Sequence, residues 1–264
     1  MNTERFPAAS MGAVEGLFMR ERVLIASALA GVTGLAWLWL IDMADMQDAS
    51  AIMAVAMGVA PWDATGFALM FIMWVVMMAG MMLPGAAPTI LLFTAIHRKQ
   101  TNRVMPYARI AAFTLGYLLV WTAFSLLATA SQNALQQASL LSPMLVSTSS
   151  ALGGTLLIAA GVYQWTPLKR VCLENCRSPL DFILFRWRGG VGGALRMGAE
   201  HGAYCLGCCG LLMGLLFVGG VMNLLWVALI AVLVLIEKLS PGGLRLARVT
   251  GGAMVIAGVY LLDS

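Results

Sequence analysis

Three of the chain's five cysteines, Cys205, Cys208 and Cys209, fall within five residues of the stretch AEHGAYCLGCCGLLMG, Ala199 to Gly214. Positions i, i+3 and i+4 share one face of an α-helix, so these thiols would line up. Four-residue steps extend that face back to His201 and Met197 and forward to Met213. One helix would thus present thiol, imidazole and thioether groups in a single stripe. Thiolate and thioether together select Cu(I) over harder ions. The plainer alternative is a run of small thiols in a core, since free Cys is among the most buried residue types.

Cys172 and Cys176 lie shortly before this stretch, in CLENC, again at i, i+4 spacing. The charge pattern described below puts all five cysteines at or near the cytoplasmic side. That compartment is reducing, so clustered thiols there are candidates for metal ligands or redox chemistry rather than a structural disulfide. The chain also carries 19 methionines. Many fall in LMFIMWVVMMAGMMLPGAAP, where Met70, Met73, Met77 and Met81 form one helical stripe and Met78 and Met82 an adjacent pair. Pro84 and Pro88 are expected to break or kink that helix. The competing reading of such a stripe is flexible packing. Met43, Met46, Met53 and Met57 alternate with Asp42, Asp45 and Asp48 in a connection that could collect a soft cation or simply be solvated.

The elements that would hold these groups follow from composition. Of 264 residues, 61% are hydrophobic and 11% charged, and the mean hydropathy is +0.87. Apolar runs suggest an all-α, polytopic membrane helix bundle with about seven transmembrane helices, near 23–41, 64–83, 109–128, 149–166, 198–218, 222–236 and 246–262. With the N-terminus in the cytoplasm and alternating crossings, all 16 Lys and Arg fall on the inner side. The outer side receives only Asp42, Asp45, Asp48, Asp63 and Asp263, and the C-terminus lies outside. Positive charge retained inside is the strongest topological signal a sequence carries. The division expected is a cytoplasmic segment, 1–22, followed by one transmembrane domain, 23–264, with a cytoplasmic cysteine-containing loop at 167–197. Part of that loop would lie along the inner membrane surface. The first apolar run starts too far in, behind acidic residues, for a cleavable signal peptide. A bacterial inner membrane fits this pattern. A net charge of +4 gives no reason to expect nucleic acid.

Other polar residues read as supports. Glu237 and Lys238 suggest an ion pair at the inner interface, and Glu200 could orient His201. His97, in HRK, reads as an interface residue, and with only two histidines in the chain bis-histidine haem is not expected. GGVGG at Gly189–Gly193 reads as a flexible connection. GGTLLIAAGVY from Gly153 and GGAMVIAGVY from Gly251 match each other, either as an inverted repeat or as small-residue faces for close helix packing.

The segments MWVVMMAGMMLPGAAP, YQWTPLKRVCLENCRSP, GAYCLGCCGLLM and GVMNLLWVALIAVLVLIEK, with the closing Gly-rich helix, resemble a prokaryotic family of metal-binding integral membrane proteins. The resemblance covers roughly residues 60–262, and some members of that family are regarded as copper chaperones. It carries over Trp74, Met77, Met81, Met82, Leu83 and Pro84 from the methionine segment, and Tyr163, Gln164, Pro167, Lys169, Cys172 and Cys176 from the loop. Cys205, Cys208, Cys209 and Met213 follow, then Asn223, Glu237 and Lys238. Gly210 stands where the family often has Trp, and Gly80 where Ala is common. The resemblance implies copper handling, with a copper-dependent client or a metallochaperone as partner beside membrane lipid.

The reading that results is a non-enzymatic membrane protein that binds and delivers Cu(I). Its candidate ligands are Cys172, Cys176, Cys205, Cys208, Cys209, Met77, Met78, Met81, Met82, His201 and Met213. The alternatives are a membrane thiol–disulfide redox protein and a scaffold stabilised by zinc on Cys172, Cys176, Cys205 and Cys208.

Overall fold

A computed structural model of the chain describes residues 8–45, 51–56, 62–100, 106–142 and 145–263. Met46, Asp48 and Met57 of the acidic, methionine-rich connection lie outside them, as do the side chains of Asp45, Met53 and His97. The helices are α1 (Ala8–Asp45), α2 (Ala51–Ala56), α3 (Ala64–Gln100), α4 (Pro106–Gln137), α5 (Ser150–Tyr163), α6 (Pro167–Arg177), α7 (Pro179–Phe185), α8 (Gly190–Gly214), α9 (Leu216–Gly219), α10 (Leu224–Leu239) and α11 (Gly243–Asp263). The fold is all-α, with one isolated bridge between Leu141 and Ser147 and no strand among the described residues.

Five helical stretches are long and apolar enough to cross a membrane: Arg22–Met43, Ala64–Ile96, Tyr107–Gln137, Gly190–Gly219 and Gly243–Asp263. They correspond to the first, second, third, fifth and seventh expected crossings. The fourth and sixth are α5 and α10, with 14 and 16 residues. At about 1.5 Å per residue they reach about 21 and 24 Å, short of a hydrocarbon core of about 30 Å.

Local chemistry explains several helix starts. Ser149 accepts from Leu152 N–H, Thr166 from Lys169 N–H with Pro167 in the first turn, and Asn223 from Trp226 N–H. Each satisfies a donor that the first helical turn cannot. Of the break or kink expected at the prolines, the break does not occur: α3 stays helical through Pro84 and Pro88, since neighbouring helices can re-satisfy backbone groups freed by an intramembrane proline. GGVGG is not a free connection either: Gly189 caps α8, and Gly190 opens it at φ +79°. The loop 167–197 folds into α6, α7 and the first turns of α8. Its outward residues include Leu168, Val171, Leu180, Leu184 and Phe185, an apolar face suited to a membrane surface.

The most extensive helix contact joins α4 to α8, and α3 packs along α4 and α1. A Cβ on Gly198 would meet Phe113 O at 1.9 Å, and one on Gly116 would meet Leu195 O at 2.0 Å. The two glycines let these backbones touch, as small residues do between membrane helices. α5 lies on α11 through the matching segments, Gly154 against Gly258 and Gly161 against Gly251. This is the small-residue packing face that the matching sequences allowed.

Candidate metal centre

The inward face of α8 buries Met197, His201, Cys205, Cys208, Cys209 and Met213. α6 docks across it with Cys172 and Cys176 buried, and α3 supplies Met82. Cys208 Sγ lies 3.8 Å from Cys176 Sγ, and Cys209 Sγ lies 3.8 Å from Met82 Sδ. Cys176 also shares a hydrogen bond with Cys205. Sulfurs from three helices therefore approach one another in close, buried pairs. A zinc–thiolate bond is about 2.3 Å long, so two sulfurs at such a spacing are within the bridging reach of one small ion.

The thiols are tied to each other and to backbone. Cys208 and Cys209 both donate to Cys205 O, at 3.1 and 3.0 Å. The hydrogen bond with Cys205 holds the Cys176 thiol well above its ordinary range, and burial pushes the same way. Cys172 is raised by burial, against the lowering pull of Lys169. Its sulfur lies against α8 at Gly207, where a Cβ would come within 2.6 Å of it.

Two residues outside the candidate ligand set also reach this centre. Lys238 Nζ donates to Cys205 Sγ at 2.9 Å and lies 3.9 Å from Met82 Sδ. The buried ammonium compensates negative charge placed on that sulfur. The Tyr117 hydroxyl lies 3.0 Å from both Met82 O and Cys205 Sγ. It carries one proton and can donate to only one of them at a time. Tyr117 had no motif around it to mark it. Lys238 was marked, but as half of an interfacial pair.

That pair does not form. Adjacent residues on α10 point to different helices. Glu237 takes Lys169 of α6 at 2.7 Å, with both side chains buried, and accepts from Gln164 Nε2 at 2.8 Å. Nor does Glu200 orient His201. It binds Arg186, Arg188 and Arg196, at 3.2–3.3 Å. His201 sits among the rings of Phe113, Tyr117 and Phe182. Its Nδ1 has no hydrogen-bond partner among the described residues.

Met77, Met78 and Met81 are buried in the same core as the thiols. Met82 is the α3 methionine whose sulfur comes within 3.8 Å of a thiol, that of Cys209. Met213 is buried two turns further along α8 from Cys205. Among the described residues, no three of His, Cys, Asp and Glu are arranged to hold a metal, so a four-thiolate zinc site has no support. The sulfur cluster is a set of close pairs, completed by a thioether.

Five helices long and apolar enough to cross a membrane, with a buried cluster of thiols and a thioether, are consistent with a multi-pass membrane protein that has a soft-ligand core. The chain belongs to the PpoB2 copper chaperone family, whose model matches residues 71–261. Neither a curated protein nor a solved structure matches the chain. The matched region takes in α4 to α10 whole, with most of α3 and α11, and so contains every sulfur of this centre.

Proposed function

We propose that this protein binds Cu(I) at the cluster of Cys176, Cys205, Cys208, Cys209 and Met82 and delivers it to a copper-dependent client. The observation that carries the reading is the convergence of thiols from α6 and α8 on a thioether of α3. Thiolate and thioether are soft donors, and Cu(I) is the biological cation they favour. Cys172, His201, Met77, Met78, Met81 and Met213 surround this cluster as further soft or borderline donors. The family description supports copper as the cargo. The chain would cross a bacterial inner membrane seven times, α5 and α10 included, as one domain over 23–264 with residues 1–22 and the 167–197 segment in the cytoplasm. Copper would then reach the thiols from the cytoplasmic side.

The test is Cu(I) competition against a chromophoric chelator on purified protein. Replacing Cys205, Cys208 and Cys209 together by Ser should lower affinity by about 100-fold or more, since losing even a supporting group typically costs about 10–100-fold. Membrane insertion should be unchanged. A triple variant that binds one Cu(I) as tightly as the wild type would place the site elsewhere.

A further inference from the structure

The cluster uses one methionine of α3, yet the helix buries six. Met70, Met73, Met77, Met78, Met81 and Met82 are each at most 4% exposed. None faces lipid. They occupy consecutive turns of one helix, with axial steps of at most about 6 Å at 1.5 Å per residue. From Met82 to Met70 the row covers about 18 Å, more than half of a hydrocarbon core of about 30 Å.

Both ends of the row have polar contacts. At one end Met82 Sδ touches Cys209 Sγ and lies near the Lys238 ammonium. At the other, Gln132 of α4 donates from Nε2 to Met70 Sδ at 3.3 Å. The amide is itself held, because Trp74 Nε1 donates to Gln132 Oε1 at 2.7 Å. A buried glutamine and a buried indole thus fix the thioether furthest from the thiols. A thioether is a weak acceptor, and filling space would need no such device. Beyond Met70 the helix begins at Ala64, after exposed Asp63.

We infer that the α3 methionines form a path along which Cu(I) passes from the thiol cluster toward the opposite face of the membrane. This rests on the proposed Cu(I) site and adds a direction and a route. Each step is a ligand exchange: one copper–sulfur bond forms as another breaks, and copper stays Cu(I) with no electron transferred. Thioethers suit this work because they are neutral and hold copper more weakly than thiolates, so an ion leaving the cluster is not trapped. The path leads to the membrane face on which the acidic residues Asp42 and Asp63 are exposed.

Full-length protein in proteoliposomes, with a Cu(I) probe sealed inside and buffered Cu(I) outside, tests this. Met→Leu keeps volume and removes only the sulfur donor. The Met70→Leu, Met73→Leu double variant should bind Cu(I) in detergent as the wild type does. Its flux should be lower by about tenfold, the loss expected when a donor on the path is removed. Met73→Cys, which keeps a sulfur, should carry clearly more flux than Met73→Leu, and this pair decides the matter if the double variant does not fold. Wild-type flux in the double variant, or equal flux in Met73→Cys and Met73→Leu, overturns the path. So does a wild type that binds Cu(I) but passes none. A wild type that binds no Cu(I) in detergent refutes the proposed site instead.

Discussion

Glu237 and Lys238 show how one peptide unit can serve two structures. Glu237 anchors α6 through Lys169, and Lys238 faces the thiols. Removing one member of a buried pair leaves an uncompensated charge, at a cost of about 3–5 kcal/mol. Glu237→Gln should therefore lower the unfolding temperature in detergent markedly and loosen α6, seen as faster alkylation of Cys172 and Cys176. A second residue-scale expectation follows from the raised Cys176 thiol. At neutral pH it is protonated, so Cu(I) must displace that proton. Raising the pH removes the competitor. Apparent Cu(I) affinity should then climb by up to about tenfold per pH unit for each proton released. Affinity measured across near-neutral pH should show this slope, and Cys176→Ser should flatten it. The thiol stripe itself was legible in the spacing of Cys205, Cys208 and Cys209, because helix geometry alone puts them on one face. The partners were not. Tyr117 lies 88 residues from Cys205 in sequence, and no local pattern encodes such a meeting.

At the scale of elements, the site depends on backbones that nearly touch. α8 can carry its thiols against α3 and α6 only if it also sits tightly on α4. Gly198→Ala would put a methyl group 1.9 Å from Phe113 O, and no rotamer relieves a clash between Cβ and backbone. The helices must separate. Overpacking of this kind costs about 1–3 kcal/mol or more, and Gly198→Ala should show a lower thermal midpoint together with weaker Cu(I) binding. Gly192→Ala, with open space around its Cβ, is the matched control and should change neither. The long apolar helices were legible from hydropathy because lipid demands continuous apolar length. That α3 runs unbroken through Pro84 and Pro88 was not, since whether a proline ends a helix depends on what its neighbours can repair. The same holds for Gly190–Gly193, where glycine-rich sequence reads as loose but the structure uses it as the first turn of α8.

For the molecule as a whole, the question is which way it faces. Arg186, Arg188 and Arg196 meet on Glu200 at the start of α8. Arg177 of α6 donates to Ser240 O and Pro241 O in the turn between α10 and α11. Trp165 donates to Arg248 O of α11. Retention of positive charge on the cytoplasmic side would put all of these segments on that side. The exposed apolar residues of α6 and α7 can then rest on the inner leaflet, with these arginines near anionic lipid headgroups. For that arrangement to hold, α5 and α10 must each cross, although both are short. α5 is covered by α11 along its length, so the bilayer need thin only on its remaining side, at a modest cost for each ångström of mismatch. A membrane-impermeant maleimide on intact cells decides the orientation. In a cysteine-free background, Gln47→Cys should label from outside, and Glu174→Cys, on the exposed face of α6, only after the cells are opened. The reverse pattern would invert the protein and put the thiols at the outer face. Labelling of both positions from outside would mean an even number of crossings between them, so that α5, the short helix among α3, α4 and α5, fails to span.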